Sequence, residues 1–444
     1  MGYSNVKSGK PELNFESLKV RVDRVHVDGL ERTKDDFVAQ SFKDVFGVQN
    51  FQQLLEKTIE CRLKLEKLGC FKSISVIIDT SEGPKATPGC GYDVTFKVTE
   101  LSRITGRINT AIENNQGSIG FAAQTPNFLG RGENFKSEIK YSPRQMQTFN
   151  TSFTKPLLFN DGSLSAALFK QTTESLASGY KLNEHGLQFG LSFLYGGILN
   201  HKMEYEGTIR KVGVLNKNVA FPVRDMSGYS LKSSLHNHFV LDSRDSVVFP
   251  VSGTLFQLKT EFAGLGGDIG FFKNELLSQV NVPLVADISV QGSFGAGLIT
   301  NTTREKHYSI VDRFFLGGPL TLRGFPINTV GPKVDGYAQG GSLYWLSALH
   351  LYTPLPHRPQ KGTFGDSFRI HLFANAGNLL NSTGSLNDCI QSLGKNLRLT
   401  YGIGLVYRLG QLARVELNYC IPVFHQPDDK LIDGMQFGLG VHFV

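Results

Sequence analysis

From Arg103 onward the chain alternates between apolar and polar residues. Phe135, Ile139 and Tyr141 alternate with Asn134, Lys136, Glu138 and Lys140. Leu187, Phe189, Leu191, Phe193 and Tyr195 alternate with Gln188, Gly190 and Ser192, and Leu399, Tyr401, Ile403 and Leu405 with Thr400, Gly402 and Gly404. A period of two means strands with one apolar face. Segments of roughly ten residues with this pattern, separated by turn residues, are what a membrane-spanning β-barrel requires. The pattern predicts strands near 103–113, 117–125, 132–142, 147–155, 162–171, 185–195, 200–210, 229–241, 253–264, 269–281, 285–299, 340–352, 367–376, 397–407, 411–421 and 434–443. That is an even number, so the first and last strands can pair antiparallel. The final stretch, Gly434 to Val444, alternates strictly: Met435, Phe437, Leu439, Val441 and Phe443 on one face, Gln436, Gly438, Gly440 and His442 on the other. A soluble protein exposing such an edge risks aggregation; a barrel closes its ring with it.

Residues 20–100 follow a different rule. Val20, Val22, Val25 and Val27 make a short strand. Thr33 is placed to cap a helix whose apolar face is Phe37, Phe42, Val45 and Phe46. A second helix over about 51–68 carries Leu54, Cys61, Leu65 and Leu68 on one stripe and ends at Gly69. Strands at 71–79 and 92–99 flank a Gly/Pro-rich turn. The predicted order is β-α-α-β-β, a small soluble α/β domain. Residues 1–19 are polar, lack the apolar core of a secretory signal and lack arginine, and read as a flexible arm. A bacterial outer-membrane barrel needs a signal peptide, so this start points to a eukaryotic organelle barrel inserted after translation.

Composition supports this division. At 444 residues the chain exceeds one ordinary soluble core. It has no apolar run of about 18 residues, hence no candidate membrane helix, but 48 Gly, 33 Phe and 14 Tyr suit barrel walls and aromatic girdles. The net charge of +7 is scattered, without the dense basic run of a nucleic-acid binder. Cys61, Cys70, Cys90, Cys389 and Cys420 show neither zinc spacing nor a disulfide framework. His236-X-His238 lacks further ligands for a metal. No nucleophile–base constellation is present. The expectation is a non-enzyme with no catalytic residues, cofactor or metal.

One connection breaks the barrel rhythm. Residues 300–339 form a long loop rich in Gly and Pro that also holds Phe314, Phe315, Leu316, Leu322, Phe325 and Ile327. Apolar content argues against disorder, so the loop is expected to fold into the barrel lumen. It contains Gly317-Gly318-Pro319 followed by Leu322-Arg323-Gly324-Phe325. This pattern, between strands 11 and 12 of sixteen, resembles the sixth-loop motif of the outer-membrane barrel-insertase superfamily. Asp242-Ser243-Arg244-Asp245 with Pro250 and Gly253 is similar to that superfamily's mid-barrel motif, and Phe373-Ala374-Asn375-Ala376-Gly377 to its Phe-X-Asp-X-Gly strand. The N-terminal unit resembles a single polypeptide-transport-associated (POTRA) domain. Gly341 to Pro356 and Leu417 to Cys420 are similar to the barrel subunits of the mitochondrial sorting and assembly machinery, a resemblance that covers nearly the whole chain.

The resemblance implies a POTRA domain at 20–100 followed by a 16-stranded antiparallel transmembrane β-barrel at 101–444. It implies a mitochondrial outer-membrane location with the POTRA domain in the intermembrane space, and a role as an insertase for β-barrel precursors. The implied partners are unfolded β-barrel precursors, the lipid bilayer, accessory subunits of a sorting and assembly complex, and inner-membrane contact-site proteins. In the bacterial pattern acidic residues hold the loop arginine; here the matching positions are Asn375 and His350. A buried unpaired arginine is costly. Glu416 shares the lumen-facing parity of its strand with Arg414 and Asn418, which makes it the candidate counter-charge for Arg323. The last strand also fits the mitochondrial β-signal pattern through Gln436, Gly438, Val441 and Phe443. A precursor's own signal strand could displace it and pair with the first strand, 103–113. Gly434, Gly438 and Gly440 either weaken this seam or simply fit lumen crowding and curvature. A metabolite pore and a protein-translocating pore are the other classes compatible with the barrel.

Overall fold

The computed structural model describes residues 18–84, 86–113, 116–142, 147–157, 161–303, 305–357, 363–381, 394–410 and 413–441. Chain contacts divide it into two units: Met1–Thr105 with Gln124–Phe135, and Gly106–Ala123 with Lys136–Val444.

The first unit has the expected order. Strand β1 (Arg21–Asp28), helix α1 (Asp35–Ala39), a 3-10 turn at Gln40–Gly47, helix α2 (Phe51–Lys67), β2 (Phe71–Thr80) and β3 (Gly91–Glu100) follow one another. The sheet order is β1-β3-β2, with β1 parallel and β2 antiparallel to the central strand. Asn50 caps α2, its side chain accepting from the Gln53 amide. Leu54, Cys61 and Leu65 lie at the predicted helical steps and pack with Phe37, Phe42, Val45, Val94 and Phe96 in one core. Thr33 does something other than cap α1. The N-cap is Lys34, without a side-chain bond. The Thr33 hydroxyl instead donates to Glu100 Oε1 at 2.6 Å, joined by the Thr33 amide at 2.8 Å and the Glu31 and Arg32 amides at 3.1 Å each, while Arg32 Nε donates to Oε2 at 3.1 Å. Asn127 Nδ2 donates to the same hydroxyl at 2.7 Å. A carboxylate with several convergent donors outcompetes the local capping bond.

The second unit is built on a single sheet of 16 strands. They are β4 (Thr105–Glu113), β5 (Gln116–Pro126), β6 (Asn134–Tyr141), β7 (Gln147–Pro156), β8 (Ser163–Ser175), β9 (Tyr180–Tyr195), β10 (Leu199–Val214), β11 (Gly228–Asp242), β12 (Gly253–Gly267), β13 (Phe271–Pro283), β14 (Ser289–Asn301), β17 (Leu343–Pro354), β18 (Phe368–Leu380), β19 (Arg398–Leu409), β20 (Ala413–Phe424) and β21 (Gly434–Gly440). The short strands β15 (Lys333–Val334) and β16 (Tyr337–Ala338) form a separate hairpin between β14 and β17. The large sheet runs in chain order from β4 to β21, and each strand register described within it is antiparallel.

Alternation sets the two faces. On β20, Leu417 and Tyr419 are exposed while Arg414, Glu416 and Asn418 are buried. A face of exposed Phe, Leu, Ile and Tyr opposite a buried face of Arg, Glu, Asn and His is inside-out for a soluble protein and right for a barrel in lipid. Several strands exceed the predicted limits; β9 and β10 each have 16 residues. Their extra ends invert the pattern. Tyr180, Leu182 and Val212 are buried with Val219, Val223 and Ile310, because there the inner face meets apolar packing rather than water. An apolar-out rule stops at such a point.

Candidate functional site: the lumen segment and the closing strand

The long connection between β14 and β17 is folded, and its apolar residues explain why. Phe314, Leu316, Leu322, Phe325 and Val330 are buried in one cluster with Ala263, Phe271, Ile299, Leu346 and Leu379 of the surrounding strands. Polar bonds fix its ends. Ser309 and Asp312 form a capping box. Asp312 Oδ1 accepts from Arg210 Nη1 of β10 at 2.7 Å, and Arg210 Nε also pairs with Glu184 of β9 at 2.9 Å. Lys273 of β13 donates to the Asp312 carbonyl at 2.9 Å. Further along, the Ala338 amide donates to the Ala177 carbonyl between β8 and β9. Contacts from the β8–β9 turn to β21 are possible only if the sheet curves around the segment, which therefore occupies the lumen.

Arg323 lies at its centre, fully buried. Its Nε and Nη2 donate to Glu416 Oε2 at 3.2 and 2.9 Å. The other carboxylate oxygen, Oε1, faces Arg414 Nη2 at 3.0 Å, and Asn418 Nδ2 donates to Oε2 at 3.0 Å. One carboxylate thus sits between two guanidinium groups, with charge-assisted bonds offsetting its removal from water. The Arg323 guanidinium also lies 5.3 Å from the centre of the Phe373 ring.

The three residues proposed from sequence as partners of Arg323 occupy different places. Glu416 holds the guanidinium. Asn375 donates through Nδ2 to the Thr321 carbonyl at 3.3 Å, two residues before the arginine. His350 is buried in a ring stack, 5.6 Å from Tyr352 and 5.7 Å from His371 between centroids. Among the described residues its ring nitrogens take no hydrogen bond. His371 Nε2 pairs with Asn418 Oδ1 at 2.6 Å, which extends the carboxylate network by one layer.

Gly324 has a reason for being glycine. Its φ is +83°, and an added Cβ would lie 2.8 Å from Thr400 Cγ2 and 2.9 Å from Thr400 Oγ1. Its backbone is bound to the end of the chain. The Gly324 amide donates to Gln436 Oε1 at 3.0 Å, Gln436 Nε2 donates to the Phe325 carbonyl at 3.0 Å, and the Ile432 amide donates to the Gly324 carbonyl at 2.8 Å. Gln436, Gly438 and Gly440 all face inward and are buried, whereas Met435 and Phe437 are exposed. Val441 follows the strand as a bend, and Phe443 lies outside the described residues.

The Gln436 contact was not legible in the sequence, since a polar residue on an inner face has many possible partners. Arg414 was visible only as a residue sharing the parity of Glu416. The Asp312–Arg210 pair spans 102 positions and carries no sequence signal. The Asp242-Ser243-Arg244-Asp245 stretch is a structural turn. Arg244 Nη2 and Nε bind Asp242 at 2.8 and 2.9 Å, and Asp245 Oδ1 accepts from the Val251 and Ser252 amides. Among the described residues no group of three His, Cys, Asp or Glu side chains could hold a metal.

A sixteen-stranded barrel with an arginine-bearing segment folded inside it and one small N-terminal α/β domain defines a class of outer-membrane barrel proteins. Residues 127–443 match the Omp85 superfamily domain. The fold is similar to that of BamA from Haemophilus ducreyi lacking POTRA domains 1–3, with a TM-score of 0.78 and 17% identity over 95% of this chain and 84% of that one. Among curated proteins, the chain is 42% identical to the sorting and assembly machinery component 50 homologue of Homo sapiens, over 98% of this chain and 93% of the relative. It is 37% identical to a SAM50-like protein of Drosophila melanogaster, over 99% and 98%. The chain belongs to the Omp85 superfamily and, within it, to the family of sorting and assembly machinery component 50 homologues.

Proposed function

We propose that this chain inserts β-barrel precursors into the mitochondrial outer membrane, receiving a precursor's signal strand at the seam between β4 and β21. One observation carries this reading. β4 and β21 are the two ends of the sheet order, and β21, which carries Gln436 and Gly438 of the β-signal pattern, is bonded from the inside to Gly324 and Phe325 of the lumen-segment motif. Inserting a strand into hydrocarbon leaves backbone groups unpaired at several kcal/mol each. A template edge at the seam removes that cost as the strand enters, by β-augmentation followed by strand exchange. The chemistry is non-enzymatic: backbone hydrogen bonds are exchanged and no covalent bond changes. The POTRA-like unit faces the intermembrane space and receives precursors there. Accessory subunits of a sorting and assembly complex and inner-membrane contact-site proteins are the expected partners. The buried apolar lumen segment weighs against a simple metabolite pore, which has no use for it.

Disulfide trapping in isolated mitochondria tests the reading. One cysteine replaces Ile108 on β4, and the other is scanned along the final strand of a radiolabelled barrel precursor. A cross-link that depends on the precursor's signal is expected. Efficient insertion with no cross-link at any register would leave a pore or a receptor as the better account.

A further inference from the structure

The bonds between Gln436 and the lumen segment say which lip of the seam is fixed. The Gln436 carboxamide accepts from the Gly324 amide and donates to the Phe325 carbonyl, so it uses both of its functions on one short stretch of backbone. Four residues earlier the Ile432 amide adds a third bond, to the Gly324 carbonyl. Arg323, next to this stretch, is joined to Glu416 on β20, and β20 pairs with β21 from Arg414–Gly440 to Cys420–Gly434. The segment, β20 and β21 are thus cross-tied in a closed triangle whose bonds lie on the buried inner face. Any opening that peeled β21 from β20 would break the ladder and the buried carboxamide bonds together. Parting β21 from β4 requires neither.

We infer that Gln436 is a positioning residue which, acting through the Gly324–Phe325 backbone, anchors β21 to β20 and the lumen segment, so that an incoming strand is received by β4 while β21 stays in place. The inference rests on the strand-exchange reading above. It assigns the polar residue of the closing-strand pattern in this chain a specific requirement: a side chain long enough to reach the segment, with one acceptor and one donor. Glutamate keeps the acceptor and loses the donor. Leucine loses both.

The test uses the full chain in mitochondria, the Ile108→Cys trap on β4, and a radiolabelled second copy of this chain as the precursor. Gln436→Leu in the resident chain is expected to lower the trapped product about tenfold, the scale of one or two lost buried hydrogen bonds, with Gln436→Glu in between. A second variant keeps the test valid if Gln436→Leu folds poorly. Tyr419 and Met435 are directly paired across β20 and β21 on the exposed face. Tyr419→Cys with Met435→Cys, oxidised, locks the two strands within disulfide reach.

The locked chain is expected to trap precursor as well as the unlocked one, and the lock is expected to restore trapping to Gln436→Leu, which neither single-cysteine variant does. Locking that abolishes the β4 cross-link would show that β21 must leave β20; this overturns the anchor and leaves strand exchange standing. A Gln436→Leu chain that traps normally also overturns it. Precursor insertion without any β4 cross-link in the unlocked chain removes the strand-exchange reading, and the anchor with it.

Discussion

Arg323 and Glu416 meet at 2.9 Å in the barrel lumen with neither side chain exposed. They lie 93 positions apart, and both belong to the half of the barrel that ends at the seam. A buried pair of this kind contributes little net stability against an apolar alternative, yet breaking it leaves an uncompensated charge. Its consequence is specificity of placement: the lumen segment has one seat.

Glu416→Gln therefore leaves two guanidinium groups, of Arg323 and Arg414, facing a neutral amide. The expected loss is about 3–5 kcal/mol of barrel stability. It would be read as a lower unfolding midpoint in urea or a lower temperature of barrel opening on semi-native gels. Arg323→Met is expected to cost less, because Arg414 still neutralises the carboxylate.

Gly324→Ala is expected to destabilise the seat for two separable reasons. The positive φ costs about 1–2 kcal/mol for an L residue, and the new methyl overlaps Thr400. Adding Thr400→Ala removes both overlapping atoms but leaves the backbone strain. The double variant should recover only part of the lost midpoint, and full recovery would show that the backbone there is not constrained.

Asp312 anchors the start of the lumen segment through Arg210, and both side chains are nearly inaccessible. Asp312→Asn keeps the shape and removes the charge. The expected effect is easier release of the lumen segment, seen as faster proteolysis of it in the folded barrel and a stability loss of about 1–3 kcal/mol, the scale of a weakened buried charged hydrogen bond, since Glu184 still pairs with the Arg210 guanidinium.

The N-terminal unit carries its own pH dependence. Burial alone would raise the Glu100 carboxyl, but bonds from the Thr33 hydroxyl and the Thr33, Arg32 and Glu31 amides outweigh it and hold the group down at about 2. A folded value below the unfolded one stabilises the fold above the usual carboxylate range, and that stabilisation is lost as pH falls towards 2. Hydrogen exchange at the Glu31, Arg32 and Thr33 amides should accelerate, relative to the intrinsic rate, as pH is lowered from 6 through 4. Glu100→Gln should abolish that pH dependence while exposing the same amides at every pH.

Local pattern and tertiary structure contributed different things. The alternation of apolar and polar residues determined the sixteen strands and their inner and outer faces, because side-chain direction in a strand has a period of two whatever the strand packs against, and the helical spacing of Leu54, Cys61 and Leu65 marked the N-terminal α/β unit in the same way. Strand ends were read short on β9 and β10, where Tyr180, Leu182 and Val212 turn an apolar face inward. Inner-face parity also brought Glu416 forward as a counter-charge for Arg323. Parity places a residue on a face but does not choose its neighbour. Only the curved sheet decided that Glu416 rather than His350 takes the guanidinium, that Asp312 finds Arg210, and that Gln436 bonds the backbone of Gly324 and Phe325. Those partners are separated by roughly a hundred residues. They come together through sheet curvature and the path of the lumen segment, which are properties of the whole sheet and not of any stretch of sequence within it.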